Sequence, residues 1–184
     1  MIITAGSLKL KKIRSVNNII LRPTSNKIRQ AIFNILIHSL DLETWKNKSY
    51  MLDAFAGTGI VSFEALSRGI MHSTLIEKDV EIYHNLLDNI KSLNIYNNTH
   101  TINENFFNIK KLPYKYSLVF LDPPYNKGIL NFAIELINDL KILQKKSLLI
   151  CETEKNFQLK TKFRKFIKYE KDYGRIKLIF LVFN

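Results

Sequence analysis

Cysteine is almost absent from this 184-residue chain. Cys151 stands alone, so no internal disulfide is available, and its apolar neighbours Leu148, Leu149 and Ile150 mark it as a small core residue. Metal-ligand spacing is missing too: His38, His72, His84 and His100 form no pattern with that cysteine that would hold zinc, and no metal site is expected. No apolar stretch approaches the roughly 20 residues of a membrane helix. Met1-Ile2-Ile3-Thr4 lacks the basic region, apolar segment and cleavage site of a secretory leader. A soluble, cytoplasmic protein is expected, by default a monomer. Repeats, low-complexity tracts and Gly/Ser linkers are also lacking, so residues 1–184 read as one domain around one core.

Acid is scarce relative to base. With 28 Lys and Arg against 16 Asp and Glu, the formal net charge is +12, which predicts a preference for polyanions, nucleic acid first. The abundance of Lys, Asn and Ile reads equally as a bias in coding composition, with the lysines simply solvated.

Periodicity supplies the organisation. Residues 2 to 21 alternate basic and apolar stretches around Gly6 and predict a short hairpin or two extended segments carrying Lys9, Lys11, Lys12 and Arg14. From Thr24 or Ser25, either a good N-cap, a helical pattern runs through Ile28, Ile32, Ile35, Leu36 and Leu40. Residues 1–45 thus form an extension, and 46–184 a core in which strand-like and helix-like runs alternate. That alternation predicts an α/β fold with a mostly parallel sheet. Strands are expected near 50–55, 73–77, 99–103, 117–122 and 147–152, with helices near 59–68, 79–94 and 128–140. The runs 163–173 and 175–183, parted by Gly174, predict a closing antiparallel hairpin.

In such a sheet ligands bind beyond the carboxyl ends of the strands. The first strand ends in Asp53-Ala54-Phe55-Ala56-Gly57-Thr58-Gly59, whose glycines would permit close approach of a ligand. A third glycine, which a dinucleotide fingerprint wants, is absent: position 62 is Ser, against a nicotinamide cofactor. Glu77 follows about 20 residues later, where a carboxylate can accept from both hydroxyls of a ribose. Glu77-Lys78-Asp79 also reads as an acidic helix start. Asn105 and Phe106, after the third strand, offer an amide and a ring to an adenine, and read equally as a loop Asn and a core Phe.

Asp122-Pro123-Pro124-Tyr125 is the most specific segment. It ends the apolar run 117–121 and combines a carboxylate, two residues with no backbone donor, outward carbonyls and an aromatic face. Two acceptors that hold the hydrogens of an exocyclic amino group can localise its lone pair for attack on a methyl, so the tetrapeptide points to amino-methylation of a flat base. A strand ending in a proline turn is the plain alternative.

These pieces together resemble a family. Glycine loop, acidic ribose ligand and DPPY, in that order, resemble class I S-adenosylmethionine-dependent methyltransferases acting on base amino groups, which implies a Rossmann-like, mostly parallel seven-stranded sheet. Leu21-Arg22-Pro23-Thr24, Arg29-Gln30-Ala31-Ile32-Phe33-Asn34, the block 52–59, Glu64-Ala65-Leu66-Ser67-Arg68-Gly69 and Leu121-Asp122-Pro123-Pro124-Tyr125 look more narrowly like the RsmD family, over nearly the whole chain. The resemblance implies an S-adenosylmethionine-dependent enzyme that methylates N2 of a guanine in small-subunit (16S) rRNA, naked or in the assembled subunit. By the same resemblance Asp53, Phe55, Gly57, Gly59, Glu77, Asn105 and Phe106 hold the cofactor, and Asp122, Pro123, Pro124 and Tyr125 hold the target base. Arg22 and Thr24 would lie over the active-site mouth, with Lys9, Lys11, Lys12, Arg14, Lys27 and Arg29 tracking phosphates. Ile2, Ala5 and Leu10 depart from the family's arginine and glycines in the hairpin.

An adenine-N6 methyltransferase of DNA or RNA, and an inactive nucleic-acid-binding module, are the alternatives. The length leaves no room for a target-recognition domain, against the first. Every acceptor and loop glycine is present, against the second.

Overall fold

Alternating apolar residues at 118–121 decide the architecture. In β4 (Tyr116–Leu121), Leu118 and Phe120 enter one buried cluster and Val119 and Leu121 another, as expected of a strand covered on both faces. The structure, a computed structural model, describes residues 1–15, 25–39, 49–124 and 128–183. Beside β4 lie β1 (Tyr50–Asp53) and β5 (Leu143–Glu154); outward follow β2 (His72–Glu77), β3 (Thr99–Asn103), β6 (Ile167–Tyr173) and β7 (Ile176–Phe183). The seven strands run in the order β3-β2-β1-β4-β5-β7-β6. The pairs β1/β2, β2/β3, β1/β4 and β4/β5 are parallel; β7 is antiparallel to both β5 and β6. This is the expected α/β class, closed by the expected antiparallel hairpin. The order reverses between β1 and β4, and the carboxyl ends of those strands flank the switch point.

Helices cover both faces. α2 (Ile60–Ser67) and α3 (Val80–Leu93) contribute Phe63, Leu86 and Ile90 to the first cluster, while α4 (Ile129–Asp139) contributes Leu130, Ala133, Ile134 and Ile137 to the second. The hairpin differs from its sequence expectation at one end. Lys160 to Lys165 wind into a single turn, α5 (Thr161–Arg164), that buries Phe163, so the strand begins at Ile167.

The N-terminal segment is bound into the core. α1 (Asn26–Ser39) starts from Ser25, whose Oγ accepts from the Ile28 N–H at 3.2 Å, and it buries Ile28, Ile32, Phe33 and Leu36 in the first cluster. Residues 1–13 close into a tight hairpin with one β-bridge, Ile2 to Lys12, and with the Ile13 N–H donating to the Met1 carbonyl. Leu10 adopts the left-handed conformation at φ 70°, which a non-glycine residue rarely takes. Gly6 has no alternative: a Cβ there would lie 1.8 Å from the Ser67 carbonyl oxygen.

The segment docks on α2, every residue of which is buried. Glu64 is fully buried and accepts from the Thr4 N–H at 2.8 Å, the Thr4 hydroxyl at 2.7 Å, the Ala5 N–H at 3.1 Å and the Arg68 guanidinium at 2.7 Å. Arg29 Nε donates to the same carboxylate at 3.3 Å, and its Nη2 to the Ile2 carbonyl at 2.6 Å and Asn26 Oδ1 at 2.9 Å. Arg29 is therefore not a phosphate contact. It is 0% exposed and neutralises Glu64 inside the core, which corrects its sequence assignment. Burial works to raise the Glu64 pKa, but the Thr4 and Arg68 bonds prevail and hold it below the ordinary carboxylate value.

Candidate active site

Carboxylates end the central strands. Asp53 closes β1, Glu77 closes β2, Asp122 follows β4 directly, and Glu152 lies two residues before the end of β5. All four line one cavity of about 610 Å³ at the switch point, within the range of roughly 300–1,000 Å³ that cofactor sites occupy. The lining brings together Asp53, Phe55, Gly57, Glu77, Asn105, Phe106, Asp122, Pro123 and Pro124, all assigned from the sequence. Tyr125, Arg22 and Thr24 lie outside the described residues.

Gly59 is the exception on the cofactor side. It does not line the cavity; at φ 82° its missing Cβ would sit 2.4 Å from Phe63 Cζ and 2.6 Å from Leu86 Cδ1, so this glycine lets α2 start against α3. Its neighbour Gly57 serves the cavity directly, donating its N–H to Glu77 Oε2 at 2.9 Å. Glu77 Oε1 accepts from the Asp79 N–H at 2.8 Å. Each Glu77 oxygen is thereby oriented and retains acceptor capacity. The two sequence readings of Glu77-Lys78-Asp79 divide between residues: Asp79 caps α3, accepting from the Ile82 N–H at 3.0 Å, and Glu77 faces the cavity.

Asp53 is nearly inaccessible, at 1% exposure. Its Oδ2 accepts from Ser62 Oγ at 2.9 Å, and Ser62 accepts in turn from Ser73 Oγ at 2.9 Å. Position 62, which argued only against a nicotinamide fingerprint, thus supports the cavity floor from behind. Asp53 Oδ1 has no partner in hydrogen-bond geometry. Burial pushes the Asp53 pKa up to about 7 against the Ser62 hydroxyl and the nearby Phe55 amide, and the charge of Glu77 adds to the rise.

Aromatic rings form the far wall. Phe55 meets Phe106 edge-on at 5.5 Å, and Phe107 lies 5.7 Å from Phe106. Asn105 caps the short turn Phe106–Asn108, its Oδ1 accepting from the Phe107 N–H at 3.1 Å. An adenine amino group would share that oxygen with the backbone. Phe106, 2% exposed, is at once core residue and cavity wall.

The lining has a charge imbalance. Among the described residues, Asp53, Glu77, Asp79, Glu104, Asp122 and Glu152 stand against the single cation Lys78, in a chain whose net charge is +12. Such a cavity suits a ligand rich in positive charge and donors and repels free phosphate. Lys9, Lys11, Lys12, Arg14 and Lys27 are exposed, with the Arg14 backbone pinned by Asn89, which also bonds the Thr58 carbonyl of the glycine loop. The cations of α5 have local partners: Lys162 pairs with Glu135 at 2.6 Å, and Arg164 donates to Gln158 at 3.0 Å. Among the described residues no group of three potential metal ligands gathers, and no helix is long and apolar enough to cross a membrane.

Comparison with known proteins decides the family. The family model described as "Conserved hypothetical protein 95" matches residues 1–182. A Buchnera aphidicola protein named "Ribosomal RNA small subunit methyltransferase D" is 39% identical over 155 residues, spanning 83% of this chain and 78% of that one. The chain belongs to the RsmD family. A Haemophilus influenzae relative of the same name is 32% identical over 163 residues, 86% of this chain and 81% of its own. The solved structure of a putative methyltransferase, yhhF, from Escherichia coli superposes with a TM-score of 0.82 at 28% identity, covering 99% and 97% of the two chains. An RNA methyltransferase of Salinibacter ruber solved with S-adenosylhomocysteine shares the fold, with a TM-score of 0.63 at 15% identity over 88% and 93%. In this family member the EALSRG block is a docking surface for the N-terminal hairpin: Glu64 and Arg68 hold Thr4, and Ser67 Oγ donates to the Ala5 carbonyl while accepting from the Leu8 N–H at 2.9 Å.

Sequence reasoning missed Glu152. The signal was available, because the apolar run 148–151 ends in a carboxylate just as the runs before Asp53, Glu77 and Asp122 do.

Proposed function

We propose that the cavity seats S-adenosylmethionine and that the protein methylates N2 of a guanine in small-subunit rRNA. The observation that carries this is an acid-lined, aromatic-walled cavity at the switch point of a strongly basic chain, with Asp122-Pro123-Pro124 on its rim. Carboxylates inside match an ammonium, a sulfonium and two ribose hydroxyls; lysines outside match phosphates. The relatives named as rRNA small subunit methyltransferases support the same reading of the substrate.

When bound, S-adenosylmethionine supplies an electrophilic methyl. Glu77 receives the ribose hydroxyls, and Phe55, Phe106 and Phe107 wall the adenine. Asp122 and the Pro123 carbonyl accept the two N2 hydrogens of guanine, directing the nitrogen lone pair at the methyl and offsetting the positive charge that grows on nitrogen. No strong base is required, because the alkylated amine becomes acidic. Tyr125 is assigned a stacking contact worth about 1–3 kcal/mol. The guanine enters unpaired or flipped, which favours a loop or bulge. Lys9, Lys11, Lys12, Arg14 and Lys27, with Arg22 and Thr24, hold the RNA at the mouth. The protein acts as a monomer in the cytoplasm.

Isotopically labelled S-adenosylmethionine supplied with hypomethylated small subunits, free rRNA and duplex DNA tests the reading. Label recovered by mass spectrometry as N2-methylguanosine in small-subunit rRNA is expected. Label in N6-methyladenosine, or in DNA alone, overturns it.

A further inference from the structure

Glu152 is a buried carboxylate at the wall of the cavity. It lies in β5 between Cys151 and Thr153, is 2% exposed, and lines the cavity. The register of the parallel pair locates it: Phe120 is level with Ile150 and Leu121 with Cys151, and continuing that register one residue past the end of β4 brings Asp122 level with Glu152, both of which line the cavity. Period-two alternation sends both side chains to the face that holds Phe120 and Ile150. Neighbouring strands run about 4.8 Å apart, so two carboxylates stand side by side at one wall of the cavity. Like charges at that spacing disfavour each other, and burial disfavours each singly. The arrangement suits a ligand edge made only of donors.

Among the four RNA bases one edge meets that description. Guanine presents N1–H and both hydrogens of N2 in a row. Adenine and cytosine present an amino group next to a ring-nitrogen acceptor, and uracil a single N–H between two carbonyls. On the reading that Asp122 and Pro123 hold the amino group, we infer that Glu152 accepts the N1–H of the target base and is the specificity-determining residue for guanine. This rests on the methyltransferase reading above and adds what the DPPY segment does not contain, since an amino group is common to three bases. An adenine in the same pose would turn its N1 lone pair toward the Glu152 carboxylate.

Base analogues at the target position separate N1–H from everything else. 2-Aminopurine keeps the N2 amino group but has an acceptor at N1; 6-thioguanine keeps both the amino group and N1–H while altering position 6. The wild-type protein is expected to methylate 6-thioguanine RNA within about tenfold of guanine RNA and to reject 2-aminopurine RNA by about 10³-fold or more, as sites built around a substrate N–H do. In Glu152→Gln, whose side-chain amide can donate to N1 of 2-aminopurine, the preference for guanine over 2-aminopurine is expected to fall by about 10²-fold or more, with S-adenosylmethionine affinity by calorimetry unchanged. Wild-type acceptance of 2-aminopurine within about tenfold of guanine overturns the assignment, as does a Gln variant that slows both substrates in equal proportion. The wild-type arm decides by itself if the variant does not fold. Failure of the wild type to form N2-methylguanosine brings down the substrate reading and this assignment together; N2-methylguanosine with no discrimination at N1 brings down Glu152 alone.

Discussion

The buried charges on α2 and those at the strand ends have the same chemistry and opposite fates. Glu64 is fully enclosed, and its carboxylate is met by Arg29, Arg68 and Thr4. Asp53, Glu77, Asp122 and Glu152 face a shared cavity whose lining, among the described residues, includes Lys78 as its single cation. A carboxylate closed by protein cations ties elements together. One turned to a cavity presents its charge to whatever ligand the cavity holds. Burial alone does not distinguish the two, since Glu64 and Asp53 are about equally inaccessible. The location of the compensating donors does.

Crossed substitutions break this contrast most strongly. Glu64→Ala leaves Arg29 buried and unmatched, and is expected to cost about 3–5 kcal/mol in urea unfolding. Asp122→Ala should leave unfolding within about 1 kcal/mol of wild type while lowering kcat by about 10²–10³, with S-adenosylmethionine affinity by calorimetry nearly unchanged. A large stability loss at Asp122, or none at Glu64, would erase the distinction between tie and site.

pH sharpens it next. The folded-state pKa of Asp53 is raised from 3.8 to about 7 by burial, so the folded protein binds a proton that the unfolded chain has released. Through this group stability falls as pH climbs from about 4 to about 7, and the full penalty persists above that. Glu64 acts in the opposite sense, its lowered pKa adding stability that is lost as pH falls through the acid range. Asp53→Asn is therefore expected to melt higher than wild type at pH 8 without ligand, the gap narrowing toward zero near pH 4. A variant less stable than wild type at pH 8 would assign Asp53 a structural role like that of Glu64.

The exposed cations come third. Replacing Lys9, Lys11 and Lys12 together by Ala should reduce the slope of log K for RNA against log salt by about 2, at about 0.7 per phosphate contact on single strands, with no change in cofactor affinity. The smallest expected effect is at Leu10. Its left-handed backbone costs roughly 1 kcal/mol for a non-glycine residue, so Leu10→Gly should raise stability by about that amount in chemical denaturation, leaving cofactor affinity unchanged.

Much of the fold was legible because burial leaves period-specific marks. The strand at 117–122, the helices at 79–94 and 128–140 and the closing hairpin are each recorded in which residues are apolar. The turn at 161–164 escaped, since the run 163–173 read as strand from Phe163 onward, whereas Phe163 packs into the second cluster from a helical turn. Gly59 was legible as a glycine but not as to its reason, because Phe63 and Leu86 are brought to it only by the folded chain.

By itself the sequence determined the α/β class, the glycine loop after β1, the acids at the ends of β1 and β2, the DPPY segment after β4 and the net positive charge, since each is written in local order and composition. Tertiary structure alone decided which charges are free to act. Arg29 and Lys27 lie two residues apart on one helix, yet one is sealed against Glu64 and the other exposed. Glu152, unremarkable in its own strand, acquires meaning only through a parallel register that sets it beside Asp122. The energy of a charge depends on what surrounds it in space, and a linear chain records that only where neighbours in sequence are also neighbours in the fold.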